Sequence, residues 1–359
     1  MRLSTILCCL FVPFAIASPA GGRHARDRHK CTKKNAFQRK EWSSMNHRER
    51  RSYIDAVECL MDKPSIYNPG IPASGSYYDD FAVSHANLSF SIHFSGIFLA
   101  WHRHFLHLLE EALHEECDYP DHLGLPYWNW PDYTDRPLEE STLFDGSETS
   151  LGSNGAFIPD RDPPVLSEEG SWRLNGELNP GTILPLGTGG GCLLEGPFSG
   201  TIVYLDPFSP RLPDNWTEAR PQCRRRDLTD EHLQLYNHQA RVDNIMRSPD
   251  IEHFQYRMEP THGRGHGSVG GHMGNFFVSP LDPVFWLHHG QIDRLWATWQ
   301  AEDEERRFQY NGTSTTYNPV GVTPEVDDDT VLTFYPLGED ITMKEAVVYM
   351  SGRYCYMYV

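Results

Sequence analysis

Of the 18 histidines in this 359-residue chain, six fall into two groups of three. The first group is His85, His93 and His102, spaced H-x7-H-x8-H. The second is His262, His266 and His289, with His262-Gly-Arg-Gly-His266 followed by Gly270-Gly271-His272-Met273 and, later, His288-His289. Neutral imidazole nitrogen suits copper, zinc, iron and nickel, so three converging rings can hold one such ion. On one straight helix His85 and His93 would stand about 12 Å apart along the axis. One ion cannot span that, so the chain is expected to bend between them, and Gly96 permits a second bend before His102. For this group alone, metal ligation and ordinary core histidines both stay open.

His262 and His266 are four residues apart and share a helix face. Zinc hydrolases use that spacing with a glutamate after the first histidine, but Gly263 stands there, so the H-E-x-x-H reading fails. Gly263 and Gly265 each weaken a helix by about 1 kcal/mol. Either surroundings and metal hold that helix, or the turn is irregular. Asp282-Pro283 starts a further helix, with Asp282 as N-cap, and this helix carries His288, His289 and Asp293. Asp293 is expected either to act on the ligands from behind or to pair with Arg294 and pin the helix. No G-x-S-x-G elbow is present, so a serine nucleophile is not indicated.

The elements that must position these groups are mostly helical. Arg39 to Leu60 has helical periodicity, with Met45, Tyr53, Ile54, Val57 and Leu60 as core positions. A helix surrounds His85, another runs from Trp101 to Glu116, and helical patterns return at 229–247 and 283–300. Pro120 to Pro137 reads as an ordered aromatic loop. Residues 145–215, dense in Gly and Pro, form a long irregular excursion. Short β-like runs close the chain at Thr330–Tyr335, Ala346–Tyr349 and Arg353–Val359. No repeat or linker divides the chain, and one mainly α domain is expected.

Residues 1–17 read as a secretory signal peptide. Arg2 precedes an apolar run, and Ala15-Ile16-Ala17 has the small-x-small form of a cleavage site; a membrane anchor would need about 20 apolar residues. Residues 18–30 form a basic flexible leader, leaving 31–359 as the catalytic domain. Removal of the signal takes Cys8 and Cys9 and leaves six cysteines, an even number that suits three disulfides in an exported protein. Fifteen pairings are possible, and the residues do not choose among them. Sequons at Asn87, Asn215 and Asn311 are candidate glycosylation sites. Acidic residues outnumber basic ones, 49 to 31, for a formal charge of −18. That argues against nucleic acid as a partner, since phosphate would be repelled, and against anionic membrane surfaces. Nothing in the sequence speaks to oligomeric state.

The strings FLAWHRHF (98–105), HGRGH with GGHM, and DPVFWLHHGQIDRLW (282–296) resemble the copper-A and copper-B motifs of tyrosinases, catechol oxidases and hemocyanins. Pro126-Tyr-Trp-Asn-Trp130 and the closing Tyr356-Met-Tyr358 are similar to further elements of that family. The resemblance covers roughly residues 36–358 and is nearest to short secreted fungal catechol oxidases and o-aminophenol oxidases. It implies a four-helix bundle around a dicopper site, with long irregular loops and a few short strands. One copper would be held by His85, His93 and His102, the other by His262, His266 and His289. His288, His104, His107 and His272 would be spare. The implied partners are a small phenolic substrate and dioxygen, and the implied reaction is oxidation of o-diphenols or o-aminophenols to quinones. A hemocyanin-like carrier and a copper protein without activity are the alternatives that catechol turnover under air would separate. The preferred disulfides are Cys59–Cys117, Cys192–Cys223 and Cys31–Cys355.

Three positions depart from the family pattern. Ser91 stands where many fungal tyrosinases carry a cysteine crosslinked to the second copper-A histidine. Gly263 stands where strong monophenolases often carry an asparagine that, with a nearby glutamate, orients a water to deprotonate the phenol. Glu252 and Glu259 are the candidate glutamates. The sequence stops at the tyrosine motif, without the C-terminal shielding domain of many latent tyrosinases. Phe276 and Phe277 are expected either to wall the substrate pocket, as residues there do in the family, or to pack in the core. Gly263 points to fast diphenol oxidation with weak monophenol hydroxylation; the alternative is a true tyrosinase with full monophenolase activity.

Overall fold

The computed structural model describes residues 31–67, 69–162, 185–207, 211–315 and 324–359, together with the backbone of the short strands Arg173–Leu174 and Glu177–Leu178. The signal peptide and leader lie outside the described residues.

Helix α1 spans His47–Asp62 and starts where its caps allow. The Asn46 side chain accepts from the Arg48 and Glu49 N–H groups, while Glu49 reaches back to the Asn46 N–H, a capping box. The helix expected from Arg39 therefore begins later. Phe37–Arg39 is instead a short strand paired in parallel with Tyr356–Tyr358, followed by a 3-10 turn at Trp42–Ser44.

Ser76 caps α2 (Tyr77–Ile92), and α3 follows over Phe98–Glu116. The bend expected between His85 and His93 is absent: α2 runs unbroken to Ile92, and the chain turns at His93 itself, which is extended at the C-cap. Gly96 then lies so near Asn311 and Val326 that a Cβ would stand 2.8 Å from the Val326 side chain and 2.9 Å from the Asn311 carbonyl. The 229–247 pattern resolves into α4 (Asp230–Tyr236) and α5 (Gln239–Met246). Helices α6 (Ile251–Val269) and α7 (Val284–Ala301) complete the frame, and α8 is the single turn Met343–Ala346.

Helices α2, α3, α6 and α7 form the four-helix arrangement, with α3 and α6 both packed on α7. Their shared core is aromatic: Phe81, Trp101, Phe105, Phe285 and Trp286 are buried and in mutual ring contact. The excursion after residue 145 contributes small ladders, Gly155–Phe157 with Gly190–Leu193 and Ile202–Val203 with Gln222–Cys223. Arg226 fastens it to the core. Buried completely, this residue donates to both Asp282 oxygens and to the Leu151, Gly152 and Ser153 carbonyls. Asp282 also accepts from the Val284 N–H at 3.0 Å, so the cap of α7 anchors the excursion as well.

Of the closing β-like runs, Val331–Leu332 pairs with Ile341–Thr342 and Tyr356–Tyr358 with Phe37–Arg39. Ala346–Tyr349 is not a strand, because a Thr342–Glu345 capping box starts α8 just before it. Disulfides join Cys31 to Cys355, Cys59 to Cys117 and Cys192 to Cys223. No described helix is long and apolar enough to cross a membrane.

Candidate metal centre

The first histidine group draws on α2 and α3. His85 Nδ1 lies 2.8 Å from the Phe277 carbonyl, His93 Nδ1 2.9 Å from the Ser89 carbonyl, and His102 Nδ1 2.9 Å from the Phe98 carbonyl. A carbonyl can only accept, so each Nδ1 carries the proton and each Nε2 keeps its lone pair. The second group draws on α6 and α7. His266 Nδ1 lies 2.8 Å from the Met273 carbonyl, and its Nε2 is 3.0 Å from His262 Nε2 and 3.2 Å from His289 Nε2. Within each group the nitrogens all lie within 4.8 Å of one another. The groups face each other across a short gap, with the His102 and His289 rings parallel at 4.3 Å. The buried Phe98 ring lies 4.8 Å from His102 and 4.7 Å from His262.

Burial, then neighbouring histidines, holds His85, His102, His262 and His289 well below the ordinary imidazole range. Burial lowers His93 to about 3 and His266 to about 4. These rings are neutral at pH 7. Buried lone pairs pointed at one another repel unless a cation lies among them. His85 Nε2 and His102 Nε2 are buried without a hydrogen-bond partner, which leaves a desolvated acceptor unmet. The residues therefore fit two ions that accept imidazole nitrogen, as copper does.

His288 lies with the second group by distance, but its chemistry differs. The Trp130 indole N–H donates to His288 Nδ1 at 3.1 Å. An indole can only donate, so His288 carries its proton on Nε2 and offers no lone pair there. His104 is tied to the Tyr354 hydroxyl at 2.9 Å, and His272 Nδ1 accepts from the Arg225 N–H; both are structural. Two glycines of α6 have a packing reason. A Cβ on Gly265 would stand 2.2 Å from His288 Cε1, and one on Gly267 2.7 Å from His232 Nδ1. The sequence reads Gly265 as helix-weakening, yet it and Gly267 let histidine rings pack against the backbone of α6.

The surrounding candidates divide. Glu259 is buried, with Oε2 3.6 Å from His262 Nδ1, and burial raises its carboxyl to about 8. Glu252 is exposed in the first turn of α6. It is ten residues, about 15 Å along the axis, from His262, and is not a pocket residue. Gly263 is exposed, and a Cβ there would meet nothing within 4 Å. Phe276 is half-buried with its ring 4.7 Å from His93. Phe277 does not wall the pocket: its side chain is 1% exposed within a separate apolar cluster with Val278 and Leu281. Its backbone carbonyl is what orients His85.

Asp293 does not pair with Arg294, whose guanidinium instead donates to Gln291 and lies over Tyr127. Asp293 accepts from Arg103 at 2.6 Å, Arg39 at 3.3 Å, the Tyr356 hydroxyl at 2.5 Å and the Tyr358 hydroxyl at 2.6 Å. Arg39 and Arg103 were not singled out in the sequence. Arg103 had a signal, standing beside His102 in the motif, whereas Arg39 had none, being separated from Asp293 by 254 residues. Asn87, Asn215 and Asn311 are all exposed.

The model of the common central domain of tyrosinase matches residues 75–302, a span that holds all six histidines. The chain belongs to the tyrosinase family. This tyrosinase-family chain is 42% identical over 339 residues to Tyrosinase P of Aspergillus terreus, covering 89% of this chain and 91% of that one. It is 36% identical over 360 residues to an N-acetyl-6-hydroxytryptophan oxidase of Emericella nidulans, covering 92% and 94%. Among solved structures, a polyphenol oxidase variant from Thermothelomyces thermophila superposes with a TM-score of 0.81 at 33% identity, over 92% of this chain and 90% of that one. Family and paired histidine groups together make the protein a copper-dependent oxidase of phenolic substrates that uses dioxygen, with a binuclear copper cofactor.

Proposed function

We propose that His85, His93 and His102 hold one copper and His262, His266 and His289 the other, in a secreted enzyme that oxidises o-diphenols or o-aminophenols to quinones. The observation that carries this reading is the convergence of six neutral rings, four of them with Nδ1 locked on backbone carbonyls. The three disulfides support an oxidising compartment, and three exposed sequon asparagines are its candidate glycosylation sites. Copper analysis is expected to give two ions per chain, and about one in each of His102→Ala and His289→Ala. Variants that keep both ions would end the ligand assignment.

Copper held by these six histidines would supply the redox chemistry that couples diphenol oxidation to dioxygen reduction. The protein holds the ligand rings in their metal-ready tautomer, and Phe98 and Phe276 exclude water from one side of the gap. Glu259 lies beside His262 Nδ1 at 3.6 Å, outside hydrogen-bond distance.

The rival reading, full monophenol hydroxylation, draws on this same buried carboxyl as a base. A monophenol has an unperturbed pKa near 10, so about one molecule in a thousand is ionised at neutral pH and a placed base matters. Gly263 supplies no side chain to hold a water between Glu259 and the phenol, so monophenol hydroxylation is weak in our reading. The open space over Gly263 makes the test direct. Gly263→Asn is expected to raise the monophenol rate about tenfold while changing the diphenol rate less than twofold, a gain of about 1.4 kcal/mol. The assay compares a monophenol, its o-diphenol and an o-aminophenol on copper-loaded protein. A wild-type enzyme that hydroxylates the monophenol as fast as it oxidises the diphenol would sink this reading. An unchanged ratio in Gly263→Asn with a raised one in Phe276→Ala would put control in pocket width instead.

A further inference from the structure

Resting on the oxidase reading above, we propose that the enzyme's substrates carry a second, uncharged aromatic ring, seated on a phenylalanine shelf outside the copper site. The shelf starts at the candidate ligand His93. The Phe276 ring lies 4.7 Å from His93, and Phe90 lies 5.6 Å further on from Phe276. Phe90 is on the last turns of α2 and is 49% exposed although its ring touches those of Phe276 and Phe277. The Phe94 ring lies parallel to Phe276 at 6.5 Å. To place it there the backbone takes φ 49 at Phe94, a left-handed conformation that a bulky residue adopts rarely and against a steric penalty.

A single exposed phenylalanine is ordinary on a protein surface. Three contiguous rings that run from a ligand histidine outward to solvent are not scattered exposure, and such strained positions cluster at ligand sites. The one-ring part of a phenol is accounted for between the two histidine groups, so it never reaches Phe90. A second ring attached to that phenol would cover Phe276 and Phe90 with offset or edge contacts. The chain's formal charge of −18 disfavours anionic extensions, and the three rings that form the shelf are themselves uncharged. The ligand class that fits is therefore an uncharged phenol with a linked or fused aromatic ring.

Binding of two meta-diphenols, which cannot give an o-quinone by loss of two electrons and two protons alone, reads the shelf without turnover when dioxygen is removed. On copper-loaded protein, 4-phenylresorcinol is expected to bind about tenfold more tightly than resorcinol. Phe90→Ala is expected to bring that ratio to about two with resorcinol binding unchanged, and Phe90→Tyr, which keeps the ring, to restore it. A wild-type ratio near one overturns the proposal without any variant. So does a tenfold ratio that Phe90→Ala leaves intact in a folded protein, or one that Phe90→Tyr abolishes should Phe90→Ala not fold. Loss of the oxidase reading would appear separately, as wild-type protein that binds these ligands but does not oxidise catechol.

Discussion

Metal-free protein taken from about pH 7.5 to about pH 5 is expected to unfold, while copper-loaded protein stays folded. Five of the six candidate ligands are buried and His266 is half-buried, and all six are held neutral, as are four further buried rings, His104, His232, His272 and His288. Burial is the leading cause in every case. An unfolded histidine gains its proton near pH 6.5, whereas these rings in the fold do not until far lower. Below about pH 6.5 the unfolded chain thus binds more protons than the native one, and stability falls as the pH falls. Each ring contributes up to about 1.4 kcal/mol per pH unit in that window. Set against a total stability of about 5–15 kcal/mol, ten rings are enough to unfold the chain within one or two units. Copper opposes this because it binds the unprotonated rings of the native state alone. Tryptophan fluorescence followed against pH, with and without copper, measures both midpoints. Coincident midpoints near pH 3, where carboxylates titrate, would refute the account.

Asp293→Ala should destabilise the protein by about 3–5 kcal/mol, the range for stranding one side of a buried ion pair. Burial alone would raise the Asp293 carboxyl, but Arg103 and then Arg39 outweigh it and hold it below the usual range. Removing the carboxylate strands Arg103, whose other partners are the Val347 carbonyl and Gln300. Arg39 is partly spared by Glu110, which it grips through Nε and Nη2 at 3.0 and 2.9 Å. Two buried hydroxyls, on Tyr356 and Tyr358, lose their acceptor as well. Asp293→Asn keeps the shape and one acceptor and should fall between the wild type and Asp293→Ala. Because Asp293 follows His289 by one helical turn and Arg103 adjoins His102, both copper groups should loosen together. Denaturant midpoints on metal-free protein isolate the stability term. A change under about 1 kcal/mol would mean the cluster is dispensable.

The ligand histidines could be read from type and spacing because metal chemistry restricts both. Helices α2, α3 and α7 were legible as helical patterns, whereas α6 was legible only from the four-residue spacing of His262 and His266. Local conflicts hid the rest. The start of α1 was misplaced because Arg39 belongs by periodicity to a helix, while its pairing with Glu110 and Asp293 draws it into a strand. Asp293 was assigned the wrong partner because Arg294 is adjacent in sequence and Arg103 is adjacent only in space. Phe276 and Phe277 look alike in the chain, yet one faces His93 and the other the core, a distinction made by backbone direction in an irregular loop. Likewise Glu252 and Glu259 differ by seven positions on one helix, and only the position three residues before His262 brings a carboxyl to the ligand.

The pairing of Phe37–Arg39 with Tyr356–Tyr358, clamped by Cys31–Cys355 with Cα atoms 5.5 Å apart, gives the molecule an unusual mechanical layout. A pull applied between a tether on the leader and one on the far end is borne by that covalent bridge. The force path is a few ångströms long. Neither α2 and α3 nor α6 and α7 is in it, so strain on the tails reaches the histidine groups only after the bridge has been reduced. A chain anchored to a wall or a carrier by either end would then keep its metal geometry under load, and loss of the bridge would turn the same anchor into a lever on Arg39 and the tyrosines above Asp293.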